Sequence, residues 1–357
     1  MKRKKIYKIL TIILVMQWAF IQIIAQYPSL VEKYYSNGLY SYVSKFLRTL
    51  FGWLPISIGD ILYVLIGIII LKGIYTTIKT KKLHIKNTLF KAGALISVLF
   101  FFFHFNWGLN YFRQPLSKTL NFEKTTYTPN ELIAFTKILI LKTNEVHLSI
   151  SKNDTILIEN SLNKQQIKAI APLAYEELQL KHSQFKFSTP SIKHSLFSLP
   201  LTYMGFAGYI NPITNEAQIN SLIPKNSYPV TVCHEMAHQV GIGSESEANF
   251  VGYLAAIHSK DIYYNYAGYL MAVRYCLGEI YRTEPKQFDN LLLELNKGIL
   301  KDLQKSRDFW ESYQNWTEKY FKSFYDSFLK ANKQKDGIKG YNKMVSLLIN
   351  YYQTEKL

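Results

Sequence analysis

Three long apolar runs fill the first third of the chain, and after residue 112 the pattern changes to the periodic apolar stripes of amphipathic helices. Between Lys8 and Glu32 the sequence ILTIILVMQWAFIQIIAQYPSLV carries no charge, enough to cross about 30 Å of hydrocarbon as a helix. A second run, from Pro55 to Ile78, has Asp60 and Lys72 towards its ends and ILYVLIGIIIL between them. The third, Ala92 to Phe112, is uncharged throughout and ends in Trp107, Tyr111 and Phe112, the composition of an interfacial aromatic belt. These runs predict transmembrane helices over about 9–29, 55–78 and 92–112, and so a membrane region over 1–112. Basic residues at 2–5 also fit the start of a cleaved signal peptide, but the first run is longer than a usual signal core and further spans follow it. The intervening segment, 27–53, is aromatic and weakly charged, as expected of an amphipathic stretch along the membrane surface.

Residues 113–357 are numerous enough to bury a core of their own. Thr128-Pro129-Asn130-Glu131 combines an N-cap, a proline at the first helical position and a glutamate three residues after the cap, which predicts a helix running to about His147. Ile167, Ile170, Leu173, Leu178 and Leu180 stripe a second helix over about 163–181. From 185 to 222 the chain turns to Ser, Pro, Gly, Thr and aromatics. Strand-like runs at 206–210 and 217–222 flank Pro212-Ile213-Thr214-Asn215, predicting a small antiparallel sheet or hairpin. From Pro229 the pattern is helical to about Lys330, and again over about 339–352. Helices, a short sheet and more helices predict an α+β fold.

Charge turns this division into a topology. The chain carries a net charge of +17, yet residues 1–112 hold 14 Lys/Arg against only Glu32 and Asp60. Most of the basic excess therefore flanks the apolar runs, at the N-terminus and in the linker holding Lys79, Lys81, Lys82, Lys86 and Lys91. Both clusters fall on one side if all three segments span, and positive charge marks that side as cytoplasmic. The domain after Arg113 is then extracytoplasmic, which in a bacterial inner membrane means periplasmic. A nucleic-acid binder would instead gather its basic residues on a polar folded face, so no nucleic-acid partner is expected; the expected partner of the first third is the lipid bilayer. Two cysteines, Cys233 and Cys276, exclude a disulfide framework.

The chemistry concentrates in TVCHEMAHQVGIGSESEANF, residues 231–250. His234 and His238 lie four apart, so on a helix their imidazoles share a face and can share a metal ion. Glu235 projects to the edge of that site, where a carboxylate can accept a proton from a water made acidic by the metal. Gly241 is placed to end the helix with a left-handed residue, allowing a new helix to start near Glu245. Glu245 or Glu247 would supply the third ligand. The two point about 200° apart on a helix, and Glu245 is preferred because Asn249 then falls one turn later, able to hydrogen-bond a ligand histidine. Cys233 points away from the metal face, and His182, His194 and His258 have no partners at ligand spacing.

This arrangement resembles zincin metalloproteases of the gluzincin kind, in which HExxH on one helix is completed by a glutamate on the next, often within an ExxxD-like pattern. Here Asn249 stands where the aspartate is usual, and the spacing from His238 to Glu245 is shorter than in thermolysin-like enzymes. Over its full length the chain is similar to the bacterial domain of unknown function family 3810, through the three spans, FNWGLNYFR at 105–113, GYINPITNEAQIN at 208–220 and HEMAHQVG…ESEANF. Together the resemblances imply a multi-pass membrane protein whose mostly helical, zincin-like domain, 113–357, binds zinc. Through a metal-activated water it would hydrolyse a peptide or protein substrate, with the cell envelope as its expected source. In zincins a strand before the active-site helix often takes up peptide as an added strand, a role that would fall to 206–222. The alternative is a non-proteolytic, membrane-bound zinc protein serving envelope assembly or sensing.

Overall fold

A computed structural model describes residues 2–80, 85–334, 341–355 and 357. Three helices are long and apolar enough to cross a membrane: α1 (Lys2–Ile24), α4 (Ile58–Thr80) and α5 (Ile85–Asn106). Their limits differ from the expected 9–29, 55–78 and 92–112. The third departs most, because the chain leaves the helix at Trp107 (φ −158°) and makes a tight 3-10 turn over Gly108–Phe112. Trp107, Tyr111 and Phe112 are not an interfacial belt; they are buried in a small core with Ile21, Tyr35 and Tyr40. Aromatic residues at the end of an apolar run suit either environment, and composition alone does not separate the two. α1 and α5 pack closely at Gly93, where a Cβ would lie 2.7 Å from Thr11 Oγ1. α4 stands apart from them, with none of its apolar window buried.

Between α1 and α4 the chain is also helical: α2 (Pro28–Leu30), a π-helical stretch (Val31–Leu39) and α3 (Tyr40–Phe51). α3 is amphipathic as predicted. Tyr40, Ser44 and Arg48, spaced by four, form one buried face, while Tyr42, Phe46 and Leu50 stay exposed.

The remaining helices are α6 (Leu116–Thr119), α7 (Pro129–Ser151), α8 (Lys164–Lys181), α9 (Ser198–Met204), α10 (Tyr228–Gln239), α11 (Glu245–His258), α12 (Ile262–Thr283), α13 (Pro285–Leu293), α14 (Lys297–Ser312), α15 (Glu318–Ala331) and α16 (Tyr341–Tyr351). Thr128 and Glu131 form the predicted capping box at the start of α7, and Asn163 with Gln166 does the same for α8. The core is built on α10, α11 and α12, whose inner faces include Val232, Met236, Phe250, Leu254 and Val273.

The sheet is mixed rather than antiparallel. β2 (Gly208–Ile210) pairs antiparallel with β3 (Ala217–Ile219), as the hairpin pattern predicts, but β1 (Ile192–His194) joins the other edge of β3 in parallel. α9 provides the crossover that a parallel neighbour requires. Three residues are too few for β1 to show an alternation in the sequence.

Two buried carboxylates fasten this sheet to the start of α4. Asp60 accepts hydrogen bonds from Ser195 Oγ (2.9 Å), the Leu196 amide (2.7 Å) and the Tyr209 hydroxyl. Glu216 accepts from the Gly59 amide (2.6 Å), the Ile58 amide (3.2 Å) and Thr214 Oγ1 (2.9 Å). Removing the Asp60 acceptor strands three donors, each costing about 1–3 kcal/mol. Asp60→Ala is therefore expected to lower the thermal unfolding temperature of the detergent-solubilised protein by several degrees; an unchanged unfolding curve would remove this tether from the account.

Candidate metal centre

α10 holds His234, Glu235 and His238, whose ligand atoms all lie within 4.8 Å of one another. It ends as Gly241 predicts. Gly241 takes φ +87°, its amide donates to His238 O (3.0 Å) and the Ile242 amide donates to Ala237 O (3.1 Å), a Schellman motif. The turn brings the Ile242 carbonyl to 2.6 Å from His238 Nδ1. With Nδ1 donating there, Nε2 of His238 is left as a bare acceptor facing the cavity.

The same turn starts α11 so that Glu245 meets both imidazoles: its carboxylate oxygens lie 3.4 Å from His234 Nε2 and 3.7 Å from His238 Nε2. The two helices approach closely because position 252 is glycine; a Cβ there would stand 2.9 Å from the His234 amide nitrogen. Glu247 points elsewhere and accepts from the Leu116 amide at 2.7 Å. Asn249 lines the same cavity as His234, with its amide fixed by a 2.9 Å hydrogen bond to the Tyr275 hydroxyl. Cys233 is fully buried in the core. His194 bonds the Tyr228 hydroxyl and His182 the Tyr351 hydroxyl, while His258 Nδ1 bonds Leu254 O, so these three serve local structure.

Burial sets the ionisation of the cluster. It lifts the Glu235 carboxyl to about 8, with Glu245 adding to the rise and His234 opposing it. It also depresses the His238 imidazole to about 4. Burial works against ionisation of Glu245 too, but His234, His238 and the Tyr325 hydroxyl outweigh it and hold that carboxyl at about 2. For His234, burial is outweighed by Glu245, so its pKa is raised. Two imidazole nitrogens and an ionised carboxylate thus converge on one point, and the Oε2 atom of Glu235 is buried without a protein partner among the described residues. This donor set fits a divalent metal held by His234, His238 and Glu245, with Glu235 beside it.

Several supporting residues carry no motif in the sequence. Tyr325, 80 residues beyond Glu245, donates its hydroxyl to Oε1 of that carboxylate at 2.7 Å. Trp107 Nε1 donates to His238 O at 2.9 Å, and the Tyr40 hydroxyl to Gln239 O at 3.0 Å. Arg48 reaches Gln239 O and Arg113 reaches Gly241 O, both at 2.8 Å, with Arg113 also paired to Glu32. Gln239 in turn donates to Ser191 O and Asn215 O, each at 2.8 Å. The segments 105–113 and 208–220 therefore hold the end of α10, and contacts to it cross the boundary expected at Arg113. Tyr209 is committed to Asp60 rather than to the cavity's polar centre.

The centre lies in a cavity of about 1390 Å³ that reaches from Tyr63 and Phe103 on α4 and α5 to Asp302 on α14. On one wall β2 lies against the glutamate. A Cβ on Gly208 would sit 2.6 Å from Glu235 Oε1 and 2.7 Å from Gln218 O. Both atoms stand too close for a side chain, so Gly208→Ala must move β2 or the Glu235 carboxylate, and any turnover that depends on this carboxylate is expected to fall about tenfold or more. Equal turnover by the two proteins would show that Glu235 does not need this close wall.

Fold and site together define a mostly helical protein with three membrane-length apolar helices and a buried His/Glu cluster facing a large cavity. The chain belongs to the family described as "Protein of unknown function (DUF3810)", which matches residues 35–349. No curated protein and no solved structure matches it.

Proposed function

We propose that this protein is a membrane-anchored, zinc-dependent metallopeptidase with a zincin-like domain working on the extracytoplasmic face of the bacterial inner membrane. The observation that carries the reading is the convergence of His234, His238 and Glu245 beside a buried Glu235 whose Oε2 has no partner among the described residues. His234 and His238 would hold zinc through Nε2, and Glu245 through its carboxylate, steadied by Tyr325. A bound zinc ion supplies Lewis acidity and a water acidic enough to react near neutral pH. Glu235 takes a proton on its carboxylate and returns it to the leaving amine, a task that suits a carboxyl raised towards neutrality by burial.

Peptide as the substrate class is supported by the strand beside the glutamate. β2 is the sheet edge on the cavity side, and its bonds to β3 are flanked by Asn211 N to Glu216 O and Asn220 N to Ala207 O. In an antiparallel ladder, alternate residues turn their backbone groups to each side. Gly208 and Ile210 therefore offer theirs to the open edge, where an extended peptide could lie within reach of Glu235.

The test is to purify the full chain in detergent, measure bound zinc by elemental analysis, and incubate it with a mixed peptide pool read by mass spectrometry, with and without phenanthroline. One zinc per chain and cleavage abolished by the chelator are expected. A chain without zinc would overturn the proposal, and one holding zinc but cleaving nothing would favour a non-proteolytic assembly or sensor role. Orientation has its own prediction: a periplasm-active reporter fused after Leu357 should be active and a cytoplasm-active one silent, and the reverse would invert the topology.

A further inference from the structure

The cavity that holds the His/Glu cluster is walled at one end by helices of membrane length. Tyr63 on α4 and Phe103 on α5 both line it, although these two helices make few close contacts with each other among the described residues. Two short helices close the frame between them. α9 follows directly on Leu196, whose amide is bound to Asp60 in the first turn of α4. Just before α15 begins, Asn315 donates to Tyr203 O on α9 at 2.7 Å, and in its last turn Phe328 places its ring 5.8 Å from that of Phe103 on α5. Fourteen residues of helix span about 21 Å, so α9 and α15 together connect the domain ends of the two spans.

The outward face of this frame is apolar. Phe321 and Phe324 line the cavity and are also 43% and 74% exposed. Trp316 and Tyr320 on the α15 side and Leu199 on α9 are exposed beside them, with Lys319 and Lys322 interspersed. Aromatic residues mixed with lysine on a surface helix are the composition of a helix lying in the headgroup region. A cluster of exposed apolar side chains marks a contact surface, and here it adjoins the ends of two helices of membrane length.

We infer that α9 and α15 lie in the membrane interface and that the cavity opens between α4 and α5 into the bilayer, so that its substrate is the membrane-proximal segment of a polypeptide anchored in the same membrane. A polypeptide rather than a lipid is favoured by the edge of β2, which offers backbone groups inside the cavity. The inference rests on the peptidase reading only for what happens to the segment once bound, so its test uses the full chain carrying Glu235→Gln, in which cleavage plays no part.

In vesicles of phosphatidylethanolamine and phosphatidylglycerol, a bimane label is placed at Phe324→Cys, at Leu199→Cys or, for comparison, at Leu293→Cys on the exposed end of α13. The native Cys233 and Cys276 are buried and will not compete for the label. Lipid carrying a nitroxide just below the headgroup should remove about half or more of the emission at 324 and 199, as expected for burial of a few ångströms in the interface, and little at 293. Equal quenching at all three positions, or none at 324 and 199, would overturn the inference. Benzoylphenylalanine at position 63 then tests access. The probe is a synthetic polyleucine helix with a polar flank, compared with the flank alone. Adducts on the residues joining helix to flank are expected; none with the anchored probe, or adducts equally abundant with the free flank, would overturn the inference. Quenching and adducts as expected, with no cleavage by the zinc-loaded wild type, would support bilayer access and remove only the peptidase reading.

Discussion

Glu235→Gln is expected to abolish peptide hydrolysis while leaving zinc in place. The amide keeps the size and position of the carboxylate, between the wall at Gly208 and the imidazole of His234, but it cannot take up a proton. General acid–base groups contribute roughly 10²–10⁴-fold to rate, so the residual activity should fall by that factor. His234, His238 and Glu245 are untouched, and zinc stoichiometry should match wild type. Because burial raises Glu235 in the metal-free fold, its replacement by a neutral side chain removes a group that is costly to ionise there, and the stability of the zinc-free chain should not fall. A variant that lost zinc together with activity would place Glu235 among the ligands; one that kept full activity would end its role as base.

The parts of the site legible in the sequence are those within one helix turn or one capping motif of each other. HExxH fixes two imidazoles on one face because the helix period is known, and Gly241 announces its left-handed turn because few other residues tolerate it. The order of the helices and the existence of the three apolar spans follow from periodicity in the same way. In the sequence Asn249 favours Glu245 over Glu247, and the fold does place Glu245 against both imidazoles and Glu247 at the Leu116 amide. What periodicity does not carry is long-range. Tyr325 meets Glu245 only because α15 folds back over the cavity, and nothing within its own helix distinguishes it from Tyr320. Trp107 reads as a membrane aromatic, and Tyr40 is one of many aromatics in the 27–53 stretch, because their partners are backbone carbonyls on α10, groups that every residue has. β1 leaves no signal in the sequence because a three-residue parallel strand is specified by its neighbour rather than by its own pattern.

Glu245→Ala and Glu247→Ala should separate metal binding from packing. Glu245 is the only described carboxylate in contact with both imidazoles, so its removal leaves two ligands and a vacant hydroxyl on Tyr325. Such a chain should lose zinc during gel filtration and hydrolyse nothing. It should also lose the stabilisation that bound zinc confers, which is about 4 kcal/mol when free metal exceeds the dissociation constant a thousandfold; its melting temperature should therefore not move when zinc is added. Glu247→Ala removes an acceptor from the Leu116 amide, a hydrogen bond to a charged group worth about 1.5–3 kcal/mol. It should melt earlier, bind one zinc and respond to added zinc as the wild type does. Burial opposes ionisation of Glu247, and the Leu116 amide and Arg113 only partly offset it, so the loss should sit at the lower end of that range. Zinc bound by the Glu245 variant but not by the Glu247 variant would reverse the assignment, and with it the direction in which α11 presents its first turn to the metal.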